Sequence, residues 1–187
     1  MTRRDIWEIA AIGLLAAAAA VTSLAVAPGL GGVLGAGLAL VMLAIAAIDA
    51  QRFIIPDALT LAALALALAN AGLEEGAVLD GVGAAVLRGA VLALSFLAMR
   101  AVYYRIRQRE GIGLGDIKLA GVAGAWLDWA TIPVAVEIAA LAALAIYVTR
   151  QVAGGRVVSA TARLPFGLFF APAIWLGWLL QATLLGR

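Results

Sequence analysis

The sequence predicts an all-α polytopic membrane protein, and three observations lead to this fold class. Hydrophobic residues make up 65% of the 187 residues and charged residues only 13%, whereas soluble domains are about 45–50% apolar. Mean hydropathy is +1.08. The apolar runs approach the ~20 residues that a helical span requires, and short polar, glycine or proline links separate them. We therefore expect a single membrane-embedded domain over residues 1–187, with about seven transmembrane helices.

Residues that start or stop helices bound several of the apolar runs. Pro28 and Gly29 end the first run, and Pro165 opens the last. Pro56 opens the third, since proline lacks an N–H that the first helical turn does not need. Asp57 beside it suits the positive end of the helix dipole. The predicted spans are residues 6–27, 31–48, 56–73, 81–101, 116–126, 132–148 and 165–185.

The placement of charge predicts that the N-terminus is cytoplasmic, because cytoplasmic loops carry an excess of Lys and Arg. The links assigned to the cytoplasm hold Arg3, Arg4, Arg52, Arg100, Arg105, Arg107, Arg109, Lys118, Arg150, Arg156 and Arg163. The opposite side holds Glu74, Glu75, Asp80 and Asp128, with Arg187 as its basic residue. This orientation places Asp49 and Asp116 at the cytoplasmic ends of their spans.

The composition excludes several kinds of chemistry. The chain contains no Cys and no His. This excludes disulfides, thiolate nucleophiles, Cys/His zinc sites and histidine general bases. We expect no metal and no cofactor, and the small net charge of +2 gives no indication of nucleic-acid binding.

A glycine-rich stretch, residues 110–119, is the most informative segment of the chain. Gly111, Gly113 and Gly115 alternate along it, and Asp116 follows at the start of a predicted span. Glycine permits tight turns and close approaches. A carboxylate at membrane depth is costly and is therefore a functional candidate. The structural alternative is an acidic residue in a first helical turn, where it complements the dipole.

Asp49 and Asp116, at one membrane face, suggest a pair of carboxyl groups that works as a unit. Two neighbouring carboxyls do not ionise easily together, so one keeps a proton. The ionised group can take a proton from water while its partner protonates the carbonyl oxygen of a peptide bond. Lys118 is two residues from Asp116 and should not face it; we expect it to reach toward lipid headgroups. For Arg88 and Glu137, charges inside predicted spans, we expect structural, partnered roles.

Two motifs resemble those of the prepilin peptidases, membrane aspartic proteases that process type IV prepilins and type II secretion pseudopilins. Residues 110–119 resemble the glycine–aspartate motif of that family. Residues 48–57 resemble its other motif, in which an aspartate precedes the aspartate of an Ile-Pro-Asp segment by eight residues. Residues 124–127 and 164–167 are also similar to family segments. The resemblance covers about residues 41–172.

The resemblance implies a specific activity and site. It implies an aspartic endopeptidase of the bacterial inner membrane with Asp49 and Asp116 as the catalytic pair. Its substrate would be the short basic leader of a prepilin or pseudopilin, cut at the cytoplasmic face, with the substrate's apolar helix in the lipid bilayer beside the spans. For Asp57, which also matches the pattern, we prefer a role at the helix start. Active-site support is assigned to Gly113, Gly115, Lys118, Pro56 and Asp57.

The chain departs from the family pattern in two places. Many members carry a cytoplasmic insert with two Cys-x-x-Cys pairs, associated with methylation of the new N-terminus. Here there is no cysteine, and residues 28–30 alone separate the first two predicted spans. The resemblance therefore implies a peptidase and does not extend to methyl transfer. The second departure is Leu168, where relatives often have proline; we expect it to touch none of the chemistry.

Two other classes of function are compatible with a membrane protein that carries carboxylates. In a proton-coupled transporter, intramembrane carboxylates carry protons, and internal repeats and broken helices are common. The sequence has no convincing repeat, and both key aspartates lie at one face instead of the midplane. A non-catalytic assembly factor of a secretion system would not need paired aspartates.

Overall fold

The computed structural model describes residues 3–73, 78–154 and 165–184, and within these ranges the chain is helical with no strand. Seven helices follow one another, each on one of the predicted spans. They are α1 (Arg3–Val26), α2 (Leu30–Arg52), α3 (Asp57–Ala71), α4 (Val78–Arg107), α5 (Leu114–Trp126), α6 (Thr131–Gly154) and α7 (Gly167–Leu184). The all-α class is therefore confirmed.

Three helices continue well past their predicted ends: α2, α4 and α6, the last of which runs to Gly154 instead of residue 148. Helix α2 continues to Arg52, so Asp49 lies within its last turn. Helix α4 continues to Arg107, so the basic stretch that we predicted as a loop from residue 100 is mostly helical. This stretch contains no glycine or proline, and arginines near a helix C-terminus interact favourably with the dipole. The basic side chains are thus carried on an extension of α4.

Four helices are long and apolar enough to cross a membrane: Leu30–Arg52, Val78–Arg107, Thr131–Thr149 and Gly167–Leu184. The apolar segments Ala10–Val26 and Asp57–Ala71 are shorter. Helix α5 has 13 residues and is about 20 Å long at 1.5 Å per residue, less than the ~30 Å of a bilayer core. The protein is a membrane protein, and the count of seven spans stays a prediction. Several side chains used to predict the orientation are not described by the structure: Arg3, Arg4, Glu74, Glu75, Arg150, Arg156, Arg163 and Arg187.

Helix α5 is short because it lies inside the bundle. It packs against α3, α4 and α7, and after Lys118 it contains only apolar residues and glycine, as expected for a buried helix. Its indole at Trp126 donates a hydrogen bond from Nε1 to the carbonyl oxygen of Ala63, at 3.0 Å. The buried residues of α5 are Ile117, Leu119, Ala120, Val122, Ala123, Gly124, Ala125 and Trp126.

Many large apolar side chains point outward, the reverse of a soluble protein. Lipid tails are as apolar as these side chains, so their exposure has no hydrophobic cost in a membrane. The core, by contrast, contains many alanines and glycines that bring helices close together. The outward-facing residues include Leu14, Leu15, Val21, Leu40, Leu61, Leu87, Leu94 and Leu144.

The contact between α4 and α5 depends on glycine. A Cβ on Gly124 would lie 2.5 Å from the carbonyl oxygen of Arg88 and 2.8 Å from the Cα of Gly89. Arg88 itself is buried, and its Nε donates to the carbonyl oxygen of Gly124 at 3.3 Å. The expected structural partner of Arg88 is therefore a backbone carbonyl, and Glu137 lies on the exposed surface of α6.

We predict that Gly124→Ala destabilises the protein by about 1–3 kcal/mol, because the added methyl group overpacks the backbone of α4. The measurement is thermal unfolding of the purified protein in detergent. Gly83→Ala, on the exposed side of α4 with open space around it, is the matched control and should be neutral or stabilising by up to about 1 kcal/mol. Equal unfolding temperatures for the two variants would contradict the packing.

Candidate active site

Asp49 is held by the first turn of α7. Its side chain is buried, at 5% exposure, and Oδ2 accepts a hydrogen bond from the N–H of Leu168 at 3.0 Å. The N–H of Gly167 also hydrogen-bonds to this carboxyl group. Helix N-termini present unused N–H groups and a positive dipole end, and both favour an anion. Asp49 thus lies in the last turn of α2 and caps the start of α7.

Asp116 is the third residue of α5 and is half-buried. Its Oδ2 accepts a hydrogen bond from the N–H of Gly113, the residue that caps the helix, at 3.1 Å. An acidic side chain at this position commonly reaches back to the capping residue in this way. The glycine loop, which we define as residues 108–113, is thereby closed onto the first turn of α5. Asp116 therefore does stabilise the start of its helix, which is the structural alternative for this residue, and the same contact fixes the position of its carboxyl group.

The bundle brings Asp49 and Asp116 together, near enough for their charges to interact. The buried side chain of Ile55 packs beside them. A Cβ on Gly115 would lie 3.0 Å from the Cβ of Ile55, and a Cβ on Gly167 would lie 2.9 Å from its Cδ1. One side chain between α2 and α3 therefore contacts the starts of both α5 and α7.

Asp57 and Lys118 form an ion pair between α3 and α5. Lys118 Nζ lies 2.5 Å from Asp57 Oδ1, joining α5 to the first turn of α3. Our expectation that Lys118 reaches toward headgroups is therefore wrong, because a carboxylate within its reach satisfies the ammonium. Pro56 caps α3 and Asp57 is its first residue, as predicted. Both charged groups are largely exposed, so the pair adds little stability.

An apolar groove of about 480 Å³ opens between α3, α4 and α5 beside this ion pair. Asp57 and Lys118 lie at its polar end, and neither Asp49 nor Asp116 lines it. The groove is therefore a neighbour of the carboxyl pair and not a cavity between the two groups.

Sequence reasoning missed the contribution of α7. Gly167 and Leu168 were not assigned to the site, and Leu168 was expected to touch none of its chemistry. That expectation is wrong, since its N–H is a hydrogen-bond donor to Asp49. The signal was the Leu-Pro-Phe-Gly segment at 164–167, but nothing local connects it with a residue more than a hundred positions earlier. Ile55 was missed because its apolar side chain suggests only core packing.

Fold and site together define an α-helical membrane protein with two acidic side chains brought together at one end of its bundle. The chain belongs to the type IV leader peptidase family, whose model matches residues 36–148, more than half of its length. The resemblance seen in the sequence is thus confirmed.

Similar proteins include prepilin leader peptidase/N-methyltransferases from several bacteria. That of Burkholderia pseudomallei (strain 1026b) is 37% identical over 72% of this chain and 42% of its own length. That of Escherichia coli (strain K12) is 33% identical over 74% and 60%, and that of Pseudomonas aeruginosa is 33% identical over 72% and 45%. The chain therefore spans about half the length of these relatives. No solved structure matches it.

We predict that Gly167→Ala disturbs Asp49 directly. The new Cβ would lie 2.8 Å from Asp49 Oδ2, so the carboxyl group or the start of α7 must move. Misplacement of a reacting group by about 1 Å can cost about 10²-fold in rate. If the activity that the family resemblance implies is present, we expect a loss of this order in the rate of prepilin cleavage, at a normal protein level in the membrane. Gly83→Ala is again the control, and normal activity of Gly167→Ala would contradict the proposed role of Asp49.

Proposed function

We propose that this protein is a membrane aspartic endopeptidase that removes the short basic leader from a type IV prepilin or pseudopilin, with Asp49 and Asp116 as its catalytic pair. The observation that carries the proposal is the pairing of these two carboxyl groups within a chain of the type IV leader peptidase family. Each group is held by backbone N–H donors from a helix start.

In the proposed mechanism the pair shares one proton. The ionised carboxylate takes a proton from a water molecule as that water attacks the scissile carbonyl carbon, and the protonated partner donates to the carbonyl oxygen. The resulting tetrahedral intermediate collapses when a proton returns to the leaving amine. The shared proton belongs to the pair and is not assigned to one residue.

The surroundings of the two aspartates support such a cycle. Backbone donors stabilise negative charge on either residue without adding a titrating partner. Because these donors belong to the starts of two helices packed into the core, they hold each carboxyl group in place. A water molecule can reach Asp116, which is half-buried, more easily than Asp49.

We further propose that the pair lies at the cytoplasmic face of the bacterial inner membrane, with seven spans and a cytoplasmic N-terminus. The charge distribution in the sequence supports this orientation. The substrate's apolar helix would then lie in the bilayer beside the bundle, with its basic leader at the interface.

Methyl transfer is not part of the proposal. The relatives are named as N-methyltransferases as well as peptidases, but the chain spans only about half of their length. In the family resemblance, methylation accompanies a cysteine-containing insert, and this chain has no cysteine. Mass measurement of the cleaved product should therefore give an unmodified N-terminal amine when S-adenosylmethionine is supplied.

We predict that Asp49→Asn and Asp116→Asn each lower prepilin cleavage by at least about 10³-fold, since loss of a general acid or base usually costs about 10²–10⁴-fold. Asparagine keeps the shape of the side chain but neither ionises nor supplies an acidic proton. The double variant should be no worse than either single variant, because the pair acts as a unit. The measurement is the initial rate of leader release in detergent, by mass spectrometry.

Asp57→Asn is the matched control for these variants. It should retain substantial activity, because asparagine still suits a helix start and the exposed ion pair with Lys118 contributes little. Protein levels must be equal for the comparison. An inactive Asp57→Asn beside an active Asp49→Asn would reassign the first aspartate, and cleavage by all three would overturn the aspartic mechanism.

The orientation has its own test, because the chain contains no cysteine. Leu73→Cys, in the turn after α3, and Gln108→Cys, after α4, are exposed positions on opposite sides of the proposed membrane. In intact cells with a permeable outer membrane, a membrane-impermeant maleimide should label only Leu73→Cys. Both should react after lysis. Labelling of Gln108→Cys in intact cells would contradict the cytoplasmic placement.

A further inference from the structure

Arg100 is joined to Asp116 through a single peptide group. Its Nη1 donates to the carbonyl oxygen of Ile112 at 2.5 Å. The N–H of the same peptide group belongs to Gly113, and it donates to Asp116 Oδ2 at 3.1 Å. Because a peptide group is planar and rigid, a group that fixes its carbonyl oxygen also fixes the direction of its N–H.

A second contact lets Arg100 bind the glycine loop at two points. Nη2 of Arg100 lies 2.6 Å from Oε1 of Glu110. Arginine presents its donors in a planar fork, so two acceptors two residues apart can be held at once. The guanidinium side chain is 19% exposed, whereas that of Glu110 is 70% exposed. The carbonyl oxygen of Ile112 is better shielded from water than the carboxylate of Glu110, since the first hydrogen bond is partly buried and the second is exposed.

The ring of Tyr103, one helical turn after Arg100 on α4, packs on the same loop. A Cβ on Gly111 would lie 2.6 Å from Cδ1 of Tyr103, so the ring covers the loop backbone. Positions three apart on a helix share one face. The C-terminal part of α4 therefore contacts the glycine loop through both the ring of Tyr103 and the guanidinium group of Arg100.

We propose that Arg100 is a positioning residue for the proposed catalytic pair, acting on Asp116 through the Ile112–Gly113 peptide group. The guanidinium orients this peptide and polarises it, because hydrogen bonds in a chain strengthen one another. The Gly113 N–H then holds Asp116 in place and favours its ionised form. Arg100 does not touch the substrate. This inference rests on the proposed function and adds a residue that the sequence motif does not include.

Loss of the guanidinium should affect turnover and its pH dependence, and not substrate binding. In Arg100→Gln we expect kcat to fall about 10- to 100-fold, as for a misplaced reacting group, with KM unchanged. A weaker donor at Gly113 stabilises the ionised pair less, so the acidic limb of the kcat profile should move to higher pH. Arg100→Lys keeps the charge without the fork, and its change should be smaller and of the same sign.

The other charges near Asp116 stay the same in these variants. They are Asp49 on α2, Asp57 on α3, Lys118 on α5 and Glu110 in the glycine loop. The described residues of α7 include no ionisable side chain. Glu110→Gln separates the two contacts of Arg100, because it removes the ion pair but leaves the bond to Ile112. Loss of a negative charge favours ionisation of Asp116, so the acidic limb should not move to higher pH as it does in Arg100→Gln.

The experiment compares these variants with Arg107→Gln, which removes one positive charge from the same helix and should leave kcat, KM and the pH profile unchanged. A second readout does not need cleavage: the infrared carbonyl band of protonated carboxyl groups, titrated with pH and assigned by difference against Asp116→Asn. Its midpoint should move to higher pH in Arg100→Gln. Arg100→Lys is read in both assays if Arg100→Gln does not reach the membrane.

The outcomes separate this inference from the proposed function. If the wild-type protein does not cleave a prepilin, the proposed function fails, while the infrared titration still tests the contact with Asp116. If the wild type cleaves and Arg100→Gln matches Arg107→Gln in kcat and pH profile, the positioning role is overturned. A loss confined to KM would also overturn it, because it would place Arg100 against the substrate.

Discussion

The structure depends on one electrostatic problem: an acidic side chain is buried in the last turn of an apolar helix. A helix C-terminus carries the negative end of its dipole, so Asp49 is unfavourable in α2 taken alone. The first turn of α7 resolves the conflict, because its N–H groups and positive dipole end meet the carboxyl group. The contact requires α2 and α7 to meet at this end of the bundle, and glycine at 167 leaves room for it.

The same end of the bundle gathers the other helix starts around this contact. Ile55 fills the space between α5 and α7, the ion pair of Asp57 and Lys118 ties α3 to α5, and Arg100 ties α4 to the glycine loop. Most of the charged groups near the aspartates thus hold backbone segments in place. The two aspartates remain as the acidic groups suited to proton transfer, as the proposed mechanism requires.

Small residues allow five helices, α2, α3, α4, α5 and α7, to meet at the end of the bundle that holds Asp49 and Asp116. Helix α5 packs closely against α4 because residues 89 and 124 are glycines: a Cβ on Gly124 would lie 2.5 Å from the carbonyl oxygen of Arg88, and one on Gly89 would lie 2.8 Å from that of Gly121. Many large apolar residues lie on the outer surface, while others, such as Phe170 and Leu38, fill the core between the helices. The bundle is held by close packing and hydrogen bonds such as that of Trp126, because apolar burial alone does not drive helix association in a membrane.

Much of this could be predicted from the sequence, since the relevant signals are local. Apolar runs and their breakers predicted the helices, and the spacing of glycines before Asp116 and of Asp49 before Ile-Pro-Asp indicated both aspartates and the family. The ends of α2 and α4 were placed too early, because a polar residue does not stop a helix unless a breaker follows. The aspartates accept hydrogen bonds from the backbone N–H groups of Leu168 and Gly113. No side chain in the sequence marks these donors. Only the tertiary structure decides such contacts, because an N–H becomes specific through the helix that orients it, and Leu168 lies 119 residues from Asp49.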